Sequence, residues 1–215
     1  MSQKSSLPQV IQFVSEALMP DMEVIVIDGS STDGSAELAA SLAGVRLLRQ
    51  AGNGLAAARN EAIFATTAPF IAFCDADDCW TEGSLALRLC AFVKNPQAGA
   101  AIGHIILQPV NGELPSAAQQ ALIGIARPGF TPGAMVARRE VFERVGRFDE
   151  TLRIGSDSDW FVRLVQSETQ LCILDDVVLR KGARSASLSG DVSAYRRELL
   201  TVARRFIKRH QSDES

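Results

Sequence analysis

Two hydrophobic periods alternate along the chain. Leu7, Val10, Ile11, Val14, Ala17 and Leu18 share one helical face behind Ser6, with Pro8 in the first turn, so a helix is predicted to open the sequence. Residues 23–27 form a compact β-branched run, 35–42 has helical spacing, and 45–48 reads as a second strand. The Ala-rich segment 55–65 predicts a helix. The apolar run 70–74 after it ends abruptly in acids. Further helices are predicted at 85–93, 139–145 and 157–165, with strands at 100–106 and within 171–179.

Strands apolar on both faces, alternating with helices, predict an α/β fold: a mainly parallel sheet in a three-layer α/β/α arrangement. In such sheets ligands bind beyond the carboxyl ends of strands. Polar clusters follow two strand ends, from Asp28 and from Asp75. Segment 108–131 is punctuated by Pro and Gly with a short helix at 117–125, the pattern of a lid or specificity loop.

Composition narrows the class. With 215 residues, 47% of them hydrophobic, one core-bearing domain is expected. The longest apolar stretch, 98–107, is broken by Gly103 and His104 and falls short of the roughly 18 residues a membrane span needs. A polar start without a continuous apolar leader, and four cysteines without paired spacing, predict a cytoplasmic protein with reduced thiols. The net charge of −3 hides an asymmetry. Residues 180–209 hold nine Lys/Arg against Asp191 and Glu198, a net +7, so the rest carries −10.

Three clusters carry candidate chemistry. Asp28-Gly-Ser-Ser-Thr-Asp-Gly34 offers small residues and backbone amides to a nucleotide, and serves equally well as an Asx/Gly turn capping the next helix. Asp75-Ala-Asp77-Asp78 crowds three carboxylates at a strand end, which calls for a cation; a solvated acidic turn is the alternative. Asp157, in Gly155-Ser-Asp-Ser-Asp-Trp160, falls at a predicted helix start where a general base would be held ionised, or where it simply caps the helix.

Taken in order, these clusters resemble the family 2 glycosyltransferases of the GT-A fold. The matching residues are Val24-Ile-Val-Ile-Asp28-Gly-Ser-Ser-Thr-Asp-Gly34, Gly54-Leu-Ala-Ala-Ala-Arg59-Asn60, Phe73-Cys-Asp75-Ala-Asp77-Asp78, Gly133-Ala-Met-Val-Ala-Arg-Arg-Glu-Val-Phe142, Val145-Gly-Arg-Phe-Asp149-Glu150 and Gly155-Ser-Asp157. The resemblance implies a nucleotide-sugar donor and an acceptor hydroxyl on a saccharide, lipid-linked or peptide substrate. Asp28 and Arg59 would then sit near the nucleotide base. Asp75 and Asp77 would hold the ribose and diphosphate, Asp77 through Mg²⁺ or Mn²⁺, and Asp157 would be the catalytic base of an inverting displacement.

The chain also departs from that pattern. The family's first strand, expected before the opening helix, has only residues 1–6 in its place, which would leave sheet edges unpaired beside the nucleotide. Ser156 stands where many members carry Glu, and Arg184 where many carry a metal-binding His. Arg184 would neutralise the diphosphate directly and weaken the need for metal. Two other readings stay open: a non-catalytic nucleotide binder, and a haloacid-dehalogenase-like phosphatase with Asp75 as nucleophile and Asp175-Asp176 as its second acidic site. Finally, residues 191–215 are expected to form a basic amphipathic helix and tail distinct from the 1–190 domain. It would either dock on that domain or lie, over about 194–210, on an anionic membrane. Nucleic acid is a poor partner, because the body is acidic.

Overall fold

The computed structural model describes residues 22–109, 115, 117–183 and 192–213. The predicted opening helix at 7–18 and Arg184 lie outside the described residues, as do 110–114 of the predicted specificity loop.

Strands β1 (Val24–Asp28) and β2 (Val45–Arg49) pair in parallel, Val24 opposite Val45 through Asp28 opposite Arg49, with helix α1 (Ser35–Ser41) between them in sequence. Helix α2 (Gly54–Ala65) leads to β3 (Phe70–Ala72), and the acidic turn is followed by β4 (Cys79–Trp80) and α3 (Ser84–Lys94). Then come β5 (Ala100–Pro109), the single-turn α4 (Ala117–Gln120), β6 (Arg127–Pro128), β7 (Met135–Arg138), α5 (Arg139–Val145), α6 (Ser156–Gln166), β8 (Leu171–Ala183) and α7 (Val192–Asp213).

A six-stranded sheet runs β3-β7-β5-β8-β4, with β6 also on β5. It is mixed: β5 and β8 are parallel, whereas β3–β7, β5–β7, β5–β6 and β4–β8 are antiparallel. The expected α/β layering holds, but this sheet is less parallel than the apolar runs suggest. The antiparallel members β4, β6 and β7 have only two to four residues, too few to show a period in the sequence.

Side chains alternate across the sheet as the pleat requires. Ala100 and Ile102 of β5 and Met135 and Ala137 of β7 face a core built with Ala56 and Ile63 of α2, Phe142 of α5, Phe148, and Trp160 and Leu164 of α6. Ala101, Ile105 and Val136 face the opposite core with Leu85, Ala91 and Phe92 of α3, Trp80 and Val178. Gly103 permits the close approach of β5 and β8. A Cβ there would collide with both methyls of Val178 and lie 2.9 Å from the Asp176 carbonyl.

Among the described residues, β1 pairs only with β2, and β3 only with β7. The four apolar side chains Val24, Ile25, Val26 and Ile27 are accordingly half-buried, although a strand apolar at every position predicts cover on both faces.

Candidate active site

The centre of the site is Arg59. It lies in α2, where Ala56, Ala57 and Ile63 bury the helix against the core, and it is itself only 3% exposed. Its Nη2 donates to Asp75 at 3.0 and 3.2 Å, while Nη1 donates to the Asp157 carboxylate. One planar cation therefore joins the acidic turn after β3 to the first turn of α6. The resemblance places Arg59 near a nucleotide base; the fold brings it to these two carboxylates, with the Phe148 ring 5.5 Å from its guanidinium carbon.

The residue beside it fastens the neighbouring loop. Asn60 donates to the Phe148 carbonyl (3.0 Å) and to Glu150 (2.7 Å) and accepts from the Phe148 amide (3.0 Å). Arg163 then ties Asp159 (2.8 Å) to the Val145 and Arg147 carbonyls. These bonds fix the segment that delivers the chain to Asp157.

A second cation, missed in the sequence, is Lys181 on β8. Its Nζ lies 2.9 Å from Asp78 Oδ2 and 3.7 Å from Asp75 Oδ2, and the Gly182 amide donates to Asp78 Oδ1 at 3.2 Å. Strand register explains the meeting. Cys79 is paired with Arg180 in the antiparallel β4–β8 ladder, so the residue before Cys79 falls opposite the residue after Arg180. The Leu179-Arg180-Lys181 run at the end of an apolar strand was the available signal, but its partner lies 103 residues away.

Burial and these partners set the charges. Burial pushes the Asp75 carboxyl up, and Arg59 and then Lys181 outweigh it, leaving Asp75 below its ordinary value. For Asp157 burial prevails over Arg59 and its pKa is raised. Asp78, 1% exposed, is pushed up to about 6 by burial against the pull of Lys181. Half-buried Asp77 is near enough that its charge acts on both Asp78 and Lys181.

Asp28 is held separately and locally. Its carboxylate, at the end of β1, accepts from the Ser30 amide (3.2 Å) and the Ser31 amide (3.1 Å), and the Ser31 side chain and those amides lower its pKa.

A divalent ion needs several converging oxygen ligands. Both Asp75 oxygens face Arg59, both Asp78 oxygens are engaged by Lys181 and Gly182, and among the described residues no three His, Cys, Asp or Glu side chains converge as a metal cage. The metal expected at Asp77 finds no fitting donor set among the described residues, where guanidinium and ammonium already pair with Asp75 and Asp78.

The C-terminal helix reaches the site from outside. Glu198 of α7 accepts from the amides of Arg153 (3.3 Å), Ile154 (2.8 Å) and Gly155 (2.6 Å), and Arg205 pairs with Asp149 at 2.6 Å. Val202 is buried, so α7 docks on the domain. Its outer side keeps Arg196, Arg197 and Arg204 exposed around Leu200 and Ile207, which are 57% and 54% exposed. No helix among the described residues is long and apolar enough to cross a membrane.

An α/β sheet with a buried arginine between a strand-end acid and a helix-start acid gathers charged groups beyond the strand ends, where such folds bind their ligands. The comparisons carry this to a family. The model of the Glycosyl transferase family 2 matches residues 3–146, and the chain belongs to that family. It is 31% identical over 219 residues to the succinoglycan biosynthesis protein ExoU of Rhizobium meliloti (strain 1021), covering 88% of this chain and 63% of that protein. It is 25% identical over 163 residues to a PGL/p-HBAD biosynthesis glycosyltransferase of Mycobacterium bovis (strain BCG / Pasteur 1173P2), covering 73% and 63%. The chain therefore spans about 63% of the length of these relatives. Among solved structures it is similar to S. aureus TarS in complex with UDP (TM-score 0.66, 17% identity, 85% of this chain and 58% of that one). The complex of TarS with UDP-GlcNAc gives TM-score 0.67 at 17% identity, covering 88% and 58%. The GT-A fold is thus established, and family membership decides against the phosphatase reading. Asp175 and Asp176 are exposed on β8.

Proposed function

We propose that this chain transfers a glycosyl group from a nucleoside diphosphate sugar to an acceptor hydroxyl with inversion at the anomeric carbon. The observation that carries the reading is Arg59, which bonds Asp75 and Asp157 at once and so sets the donor-side acid beside a general base. Asp157 accepts the hydroxyl proton as the acceptor oxygen attacks the anomeric carbon. The bond to the diphosphate breaks, and its electron pair leaves with the nucleoside diphosphate. Family membership and the nucleotide complexes of the structural neighbours support the donor class. No step is assigned to a divalent metal, because Arg59 and Lys181 already pair with Asp75 and Asp78.

The test is a donor screen with NMR assignment of the product anomer. Inverted product is expected, and retained configuration would sink the mechanism. The ion pair of Asp157 with Arg59, which opposes its taking up a proton, favours a second reading, a binder without turnover. Nucleotide binding by calorimetry with no transfer from any donor would establish it.

The outer side of α7 supports peripheral attachment to an anionic membrane at a cytoplasmic face, where exposed Leu200 and Ile207 would enter the interface among Arg196, Arg197 and Arg204. Co-sedimentation with vesicles containing phosphatidylglycerol is expected for the intact chain. It should be lost in Leu200→Glu/Ile207→Glu; equal sedimentation of the two would refute the attachment.

A further inference from the structure

We infer that Glu198 is a positioning residue for Asp157, which makes the C-terminal helix part of the catalytic unit; this rests on the transferase reading above. Residues 153–155 immediately precede α6, and Gly155 is its N-cap. Asp157 stands two residues further on, in the first turn. The amides at such an entry have no partner within the helix and must be satisfied from elsewhere. No side chain caps this one locally. Glu198 does so from 43 residues away, its Oε2 accepting from both Ile154 and Gly155 and its Oε1 from Arg153. A carboxylate beside a helix N-terminus also matches the positive end of the helix dipole.

Gly155 is shaped to this contact. A Cβ there would lie 3.1 Å from Glu198 Cβ and 3.3 Å from its Oε2, so any larger residue would push the two segments apart. Two further attachments of α7 surround the same entry. Arg205 pairs with Asp149 at 2.6 Å and lies 3.9 Å from Asp159, which sits in the first turn of α6 beside Asp157. Val202, buried, fills the space between these polar contacts along the helix. Arg59 therefore fixes the carboxylate of Asp157 from inside the protein, and Glu198 fixes its backbone from outside. Displacing a catalytic group by about 1 Å can cost on the order of 100-fold in rate. Release of three consecutive amides before the base is sufficient for a shift of that kind.

The experiment compares wild type with Glu198→Ala, Glu198→Gln, Gly155→Ala and the double variant Glu198→Ala/Gly155→Ala. It reads turnover and acceptor KM, UDP affinity by calorimetry (or that of whichever nucleoside diphosphate the wild type binds), and hydrogen exchange at amides 153–155. Glu198→Ala is expected to lower kcat by roughly tenfold or more, to leave nucleotide affinity unchanged, and to speed exchange at these amides. Glu198→Gln, whose amide oxygen still accepts, should recover most of the turnover. Gly155→Ala should reproduce the kcat loss from the other side, and its effect should not add to that of Glu198→Ala. Faster exchange with unchanged kcat would overturn the inference, as would an equal loss of nucleotide affinity. If Glu198→Ala does not fold, Gly155→Ala decides. A wild type that binds nucleotide but transfers from no donor defeats the transferase reading and this inference with it.

Discussion

Asn in place of Asp157 is expected to lower transfer by roughly 10²–10⁴-fold, the usual contribution of a general base, while nucleotide affinity stays as it was. Asn preserves the shape of the side chain and can still accept from Arg59, so the loss isolates the proton-accepting step. The pH profile gives a second readout. Burial raises the Asp157 pKa, with Arg59 pulling it down less strongly. Turnover by the wild type should therefore fall as pH drops through that raised value, which lies above the ordinary aspartate pKa of about 3.9. Stability should move the other way. A carboxyl whose folded pKa exceeds its unfolded pKa binds its proton more tightly in the fold, so stability is full below the unfolded value and declines as pH rises through the folded one. Above that range Asp157→Asn should melt no lower than wild type, and somewhat higher if the burial cost dominates. A variant that is inactive because it is unfolded would show the reverse, and full activity with a melting curve like wild type would remove Asp157 from the mechanism.

The acids and the arginine of this site were legible in the sequence because each follows a strong local pattern: a buried strand ending in Asp75, an Ala-rich helix carrying Arg59, a helix start carrying Asp157. Their connection was not legible. Arg59 and Asp157 are 98 residues apart, and the core shared by Ala56 of α2, Phe148 and Trp160 of α6 brings them together. Lys181 and Glu198 were absorbed into the positive average of the C-terminal segment, where nothing distinguishes a charge held at a carboxylate or a loop from one in solvent. Helices of two turns or more followed from periodicity, with α6 differing by one residue at each end. The longer reading of 117–125 shrank to the single turn Ala117–Gln120: the amides of Leu122 and Ile123 bond three residues back, to Gln119 and Gln120, and Gly124 then turns the chain at φ +72.

Replacing Arg59 by Met should cost the protein much of its stability. It removes one cation and leaves two carboxylates, Asp75 and Asp157, whose side chains are 19% and 27% exposed. Leaving a buried charge without its partner costs roughly 3–5 kcal/mol, and for a domain of this size that lowers Tm by roughly 10 °C. Lys181, 3.7 Å from Asp75, offsets part of the loss at that carboxylate but is committed to Asp78. Arg59→Lys should recover only a fraction, since one ammonium cannot reproduce two guanidinium nitrogens aimed at different carboxylates. Adding Asp75→Asn to Arg59→Met should restore stability by removing one of the stranded charges, a coupling that a double-mutant cycle measures directly. Because Arg59 lowers the Asp157 pKa, any transfer that survives in Arg59→Met should have its acid limb at higher pH than wild type. Thermal melts and pH profiles of wild type, Arg59→Met, Arg59→Lys, Asp75→Asn and Arg59→Met/Asp75→Asn check both consequences. A melting temperature unchanged in Arg59→Met would mean that the two carboxylates find solvent or protons without it, and that Arg59 does not organise the site.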